Sequence, residues 1–475
     1  MRGSSTWLRR LCAGAITGLG LALLPANASA NTVTTFTGTT PDAAGPSNYI
    51  IEVPSNWNGT LVLYSHGYSF GPPFGDPAPQ AAEDTGDSTT PTPVVHDWLL
   101  ANGYAIAGSS YATTGWALQQ AFQDQIAVLD VFKSKGYNAT RTIAWGHSLG
   151  GMITAGLVQL FPNRFDGALP MCGVVAGGPG VWNQGLDSEF AFLTLQAPGA
   201  FKLSGFTAAD VGTNFNNAFQ AFNVAQLTPQ GRARIALSAA LADVPGWYKP
   251  TSPEPAANDF AGQELNQLAW DNNPDLFFGF FGRYELEVRS GGNFSWNTGV
   301  DYRVQLSHSV DFAEVQALYA AAGLDLNQDL GKLNSAPRIS ADPSAVAYVS
   351  KYITYNGNLS IPVLTLHTTG DGLVEVTDEN TYANVVRSAG DNSMLRQVFV
   401  HRAGHCTFTP AETITALQTL IHRLDTGSWE DSTNPASMNA QASSLGSALN
   451  VAPASFIDFH PDQFLRPFDA RSAGD

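Results

Sequence analysis

Arg141-Thr142-Ile143-Ala144-Trp145-Gly146-His147-Ser148-Leu149-Gly150 joins a short apolar run to a segment, Met152 to Phe161, with helical character. The junction reads Gly-x-Ser-x-Gly. A serine hydroxyl is a weak nucleophile until the backbone holds it out beside a base. A sharp strand-to-helix turn does that, and small residues at both ends let strand and helix approach closely. Glycine fills 46 of 475 positions, so the pattern also arises by chance and its surroundings must arbitrate. The chain supplies its own control in Gly67-Tyr68-Ser69-Phe70-Gly71, where Pro72-Pro73 follow and cannot open a long helix. Ser69 is set aside and Ser148 is kept.

Outward from the elbow the pattern alternates. Val33 to Gly38, Tyr49 to Val53 and Leu61 to Ser65 read as strands. A Pro/Asp/Thr-rich loop, Gly71 to Thr92, leads to a short helix around Val94 to Asn102, strand Tyr104 to Ser109 and helix Trp116 to Lys135. Beyond the elbow comes strand Gly167 to Met171. Such alternation predicts an α/β fold, a mainly parallel sheet covered by helices on both faces. It breaks from Gly173 to about Leu359, where Leu227 to Leu241, Ala261 to Trp270, Phe312 to Ala322 and Ala345 to Tyr352 are helix-like. A gap that long is no ordinary connection and reads as an inserted, mostly helical cap. Strand Pro362 to Thr368, helix Val376 to Ala389, strand Leu395 to Val400 and helix Pro410 to Leu424 then resume the rhythm. The expected division is a core of residues 31–172 and 360–425, a cap of 173–359, and a loop-rich tail of 426–475 whose aromatics pack back on the body.

Residues 1–30 read as a signal peptide: Arg2, Arg9 and Arg10, an apolar run from Leu11 to Leu24, and Ala28-Ser29-Ala30 as cleavage site. The run is too short and Gly/Ala-rich for a membrane span. The expected mature chain starts near Asn31 and is secreted or periplasmic, with Sec export favoured over the twin-arginine route. Its loss moves the formal net charge from −17 to −20, which argues against nucleic acid and anionic membranes as partners. Oligomeric state leaves no sign. Cys172 and Cys406 remain, and in an exported protein two cysteines suggest one disulfide.

A serine nucleophile needs a base and an acid that orients the base. On a parallel sheet such groups come from loops at the carboxyl ends of strands. Thr369-Gly370-Asp371-Gly372 follows one predicted strand and His401-Arg402-Ala403-Gly404-His405-Cys406 follows another. Ser148, Asp371 and His405 thus stand in the order Ser, Asp, His. The spacing His401-x-x-x-His405 lacks both the helix and the glutamate of a zinc motif, so neither metal nor cofactor is expected. His401 reads as structural or surface, and His96, His308, His367, His422 and His460 as ordinary surface or core histidines.

Together these features resemble serine hydrolases of the α/β-hydrolase fold, over residues 31 to 172 and 360 to 425. The resemblance implies a triad of Ser148, Asp371 and His405. It also implies an oxyanion hole from the backbone N–H of Leu149 and, in the turn His66-Gly67-Tyr68, that of Tyr68. A second resemblance is partial. In tannase and feruloyl-esterase relatives, a cysteine after the catalytic histidine bonds one just before the nucleophile. Cys406 fits; the other position holds His147. The resemblance suggests that Cys172 takes over the tethering role, with two separate buried thiols as the alternative.

The expected activity is hydrolysis of a carboxylic ester, on a small-molecule or polymer-derived substrate, through a Ser148 acyl-enzyme. Amide or peptide hydrolysis with the same residues is the alternative, and a non-catalytic binding protein on the same fold a minor one. The cap is rich in aromatics, among them Trp182, Trp247, Tyr248, Trp270, Tyr284 and Trp296. Most should build the cap's own core, whereas the dense run Phe277, Phe278, Phe280 and Phe281 is expected at an apolar, aromatic-accepting pocket. His147 lines that pocket or packs behind it.

Overall fold

Ile143, Ala144 and Trp145 are all fully buried, which a strand achieves only inside a sheet covered on both faces. The computed structural model describes residues 32–40, 45–71 and 94–468. The expected signal peptide and cleavage site at Ala28-Ser29-Ala30, and nearly all of the Pro/Asp/Thr-rich loop, lie outside the described residues.

The strands are β1 (Val33–Thr40), β2 (Ser47–Pro54), β3 (Thr60–Ser65), β4 (Ala105–Ser109), β5 (Arg141–His147), β6 (Gly167–Met171), β7 (Val363–Gly370), β8 (Leu395–Ala403) and β9 (Phe456–Ile457). They form one sheet in the order β1-β2-β4-β3-β5-β6-β7-β8-β9. From β4 across to β8 every pairing is parallel; β1 with β2, β2 with β4, and β8 with β9 are antiparallel. Core helices are α1 (Val94–Ala101), α2 (Leu118–Ser134) and α3 (Leu149–Leu160).

Alternate side chains of each strand feed two cores. Leu61, Leu63, Ala107 and Ala144 face Phe122 and Val128 of α2 and Leu157 of α3. Val62, Tyr64, Ile143 and Trp145 face the opposite layer. Each fully buried leucine or isoleucine there contributes roughly 1.5–3 kcal/mol.

Between β6 and β7 run α4 (Gly178–Gln196), α5 (Val211–Ala225), α6 (Pro229–Ala240), α7 (Phe260–Trp270), α8 (Arg283–Ser290), α9 (Tyr302–His308), α10 (Phe312–Ala322), α11 (Leu326–Ser335) and α12 (Pro343–Lys351). They enclose a separate core that includes Leu186, Phe192, Phe222, Leu237 and Phe280. From α7 to α8 the chain kinks at Asn273, which is extended (φ −167°, ψ 110°) just before Pro274, and then widens into a π-helical turn at Phe278–Gly282. After β7 come α13 (Asp378–Ala389), α14 (Pro410–Thr426) and α15 (Pro435–Ser444). Ile414, Leu417 and Leu420 of α14 cover Ile143 and Trp145.

The tail is more regular than its composition suggests. α15 packs on α14, and β9 pairs with β8 through Phe399 and Ile457. Serine, asparagine and alanine hide this order, because it rests on contacts with distant strands and not on local periodicity. Beyond β9 the chain reaches the cap. Arg466 pairs with the buried Asp187 of α4, the Leu465 N–H donates to Gln184 (3.2 Å), and Phe468 meets Trp296 edge-on. Among the described residues no helix is long and apolar enough to cross a membrane.

Candidate active site

Ser148 sits between β5 and α3 with φ 58° and ψ −126°, a left-handed backbone that costs a non-glycine residue about 1–3 kcal/mol. Its N–H donates to the Met171 carbonyl (3.0 Å), which pins the turn to the end of β6. The flanking glycines follow from crowding: a Cβ on Gly150 would collide with the Ser65 carbonyl, and one on Gly146 would meet the Ser65 and Gly150 carbonyls. Leu149 opens α3, so its N–H is one of the helix's first, which lack an intrahelical acceptor. Gly67 lies over this turn. A Cβ there would stand 3.4 Å from the Ser148 Cβ and 3.9 Å from its Oγ.

The turn His66-Gly67-Tyr68 is braced from behind. His66 stacks on Tyr111 (3.9 Å between centroids), shares a 2.7 Å contact between Nδ1 and the Gly67 carbonyl, and accepts at its own carbonyl from the Tyr111 hydroxyl (3.1 Å). Burial lowers the His66 pKa. From the cap, Glu285 accepts from the Tyr68 hydroxyl (3.5 Å) and the Trp116 N–H (3.0 Å) while pairing with Arg289. Ser69 lies 3.3 Å from His66 Nδ1 in this same turn.

Asp371 directly follows β7 and is buried. Its Oδ2 lies 2.8 Å from His405 Nδ1, and its Oδ1 accepts from the N–H groups of Leu373 and Val374, both at 3.1 Å. A layer beneath was not legible as functional. His367 Nε2 is 3.7 Å from Asp371 Oδ2 and donates to the Val374 carbonyl at 2.9 Å, while Nδ1 meets Glu379 at 3.1 Å. Burial alone would lower the His367 pKa, but the hydrogen bond and charge of Glu379, with the charge of Asp371, raise it to about 9. Glu379 and Asp371 thus favour a protonated His367 beside Asp371.

Cys172 and Cys406 form a disulfide across 234 positions, with Cα atoms 5.4 Å apart. Cys172 follows Met171, the acceptor for the Ser148 N–H, and Cys406 follows His405, whose Nε2 lies 3.3 Å from the Cys406 sulfur. The bond thus ties the serine turn to the histidine loop. It also removes both thiolates from the only cluster of metal-ligand type among the described residues, Cys172, His405 and Cys406. His401 turns elsewhere, to Glu254 (3.0 Å) and Trp247.

Ser148, Leu149, Tyr68 and the segment after Asp371 line a cavity of about 130 Å³ roofed by the cap. Trp116, Trp182 and Phe278 give it aromatic walls. Of the phenylalanine run, Phe278 alone reaches it. Phe280 is fully buried in the cap core against Phe201 and Phe206, Phe281 packs on Phe215, and Phe277 rests between Phe70 and Phe281. The helical turn distributes the run around its axis, which a count of consecutive aromatics does not register. His147 likewise does not line the cavity. It is buried beside Tyr64, Trp145 and Phe408, and burial together with the nearby His405 lowers its pKa to about 3. Strand alternation puts His147 on the face of Trp145, a signal the sequence does contain.

The strand order, the strained serine between β5 and α3, and the acid and histidine at the ends of β7 and β8 define the α/β-hydrolase fold. Residues 103–177, from just before β4 to the start of the cap, match the prolyl oligopeptidase family. The chain is a serine hydrolase of that fold. Over 446 residues it is 28% identical to the o-phthalyl amidase of Xanthobacter agilis, a match covering 86% of this chain and 92% of that protein. Among solved structures it is similar to an esterase from Aspergillus oryzae (TM-score 0.43, 14% identity) and to feruloyl esterase B from the same organism (TM-score 0.39, 15% identity). Both likenesses cover 83% of this chain and 80% of the other.

Proposed function

We propose that Ser148, Asp371 and His405 are the catalytic triad of an exported hydrolase that releases a small aromatic acid from an ester or amide. The observation that carries this reading is the 2.8 Å contact of His405 Nδ1 with the buried Asp371, on a loop bonded through Cys406 to the serine turn. With Nδ1–H given to Asp371, Nε2 is the lone pair left for the serine proton. Ser148 Oγ attacks the acyl carbon, and the N–H groups of Leu149 and Tyr68 hold the oxyanion. His405 passes the proton to the departing alcohol or amine, then takes one from the water that releases the acid.

The ester is the expected bond from sequence. The amide gains support from the similarity to an amidase over most of both chains. The signal peptide adds export, testable by N-terminal sequencing of the secreted protein, with Asn31 as the expected first residue. The function is tested with matched aryl esters and anilides, using Ser148→Ala as control. The wild type should turn over members of the panel and react with a fluorophosphonate at Ser148. The variant should lose on the order of 10⁵- to 10⁶-fold in kcat. A folded Ser148→Ala protein that keeps its activity, or a wild type that ignores the probe, sinks the reading.

A further inference from the structure

Arg283 is 1% exposed and reaches the cavity that holds Ser148. Its Nη2 donates to the Trp182 carbonyl (3.3 Å), while Nε and Nη1 have no partner, and it forms no ion pair among the described residues. Its guanidinium stands 5.4 Å from the ring centre of Trp182 and 5.5 Å from that of Phe294. The nearby Glu287 is occupied by the N–H groups of Gly205 and Phe206. A buried cation with two unused donors is costly unless an anion completes it.

Four acids face the same cavity: Glu189, Asp271, Asp275 and Glu375. Burial pushes Glu189 up to about 7 against the pull of Arg283. Burial, then repulsion between neighbouring carboxylates, pushes the other three well above the usual range. Neutral forms are favoured, least for Glu189, and none of the four carboxyls bonds to Arg283, whose Nε and Nη1 stay without a partner. The cavity's volume is close to the ~150 Å³ that takes one benzene ring.

We propose that Arg283 clamps a free carboxylate of the substrate, which is therefore a benzenedicarboxylic acid joined to its leaving group through only one of its two carboxyls. This deepens the proposed hydrolysis at Ser148 and rests on it. The acyl bond lies at Ser148, the ring between Trp182 and Phe278, and the second carboxylate against a free N–H of Arg283, a charge-assisted hydrogen bond.

The test compares 2-, 3- and 4-carboxybenzanilides and the corresponding methyl esters with their neutral carbamoyl isosteres and with cationic trimethylammonio analogues. At least one carboxylate isomer should exceed its carbamoyl isostere in kcat/KM by about ten- to a hundredfold, the range of a charge-assisted hydrogen bond. Arg283→Met should bring that ratio close to one, and Arg283→Lys should restore part of it. Wild-type ratios near one, a preference for the cation, or an Arg283→Met protein with its ratio intact would each overturn the clamp. Calorimetric binding of the carboxylate and carbamoyl anilides to Ser148→Ala reads the clamp without turnover. If nothing is hydrolysed and Ser148 does not label, the hydrolase reading fails while the clamp is still judged by that binding. Equal affinity for the two anilides would overturn it.

Discussion

Two walls meet at Ser148, and they treat buried charge differently. On the core side Asp371 has three hydrogen-bond donors, and His367 is bonded to Glu379 and the Val374 carbonyl. On the cap side Arg283, Glu189 and Asp271 each keep at least one buried polar atom with no partner. A satisfied network is rigid before substrate arrives, whereas an unsatisfied one has bonding capacity left for a ligand. In the proposed mechanism the strand ends carry the chemistry and the cap, through Arg283, the recognition.

The largest expected effect lies in the core. Asp371→Asn should lower kcat by on the order of 10⁴-fold through loss of the His405 tautomer. Steady-state kinetics should show the same factor for carboxylate and carbamoyl substrates. A change in their ratio would mean that Asp371 takes part in recognition, and the contrast would break.

Next comes the tether. Replacing Cys172 and Cys406 together by alanine should cost about 2–5 kcal/mol of stability and lower kcat, since the histidine loop then rests on hydrogen bonds alone. Urea unfolding and kinetics of the double variant check this; unchanged stability would make the bond incidental.

A smaller effect is a pH dependence of the core alone. The His367 pKa is raised in the fold to about 9, so its contribution is complete below the unfolded value near 6.5 and is lost as pH rises through about 9. The loss amounts to roughly 3 kcal/mol. Urea unfolding at pH 6 and pH 9.5 should show the decline in the wild type and a flatter response in His367→Gln. An equal decline in both would place the titrating group elsewhere.

The candidate triad was legible in sequence because each part is a local event: a strand that stops, a glycine, and a polar residue close by. Ser148, Asp371 and His405 all have that form, and so does the histidine-glycine turn. His367 does not. It lies inside β7, and only Glu379, twelve positions on in α13, gives it a role. Arg283 ends an aromatic run that drew attention to its rings, and its lack of a counterion is a fact of three-dimensional packing. Asp271 and Asp275 join it at the cavity from either side of a kink at Asn273 that hydrophobic periodicity does not signal.

The bond between Cys172 and Cys406 also has a topological meaning. Cys172 precedes the first cap helix and Cys406 follows β8, so the whole cap lies inside one covalent ring. A single peptide-bond cut anywhere within that ring leaves both pieces joined in one molecule. Reduction, by contrast, would let such a nicked chain come apart.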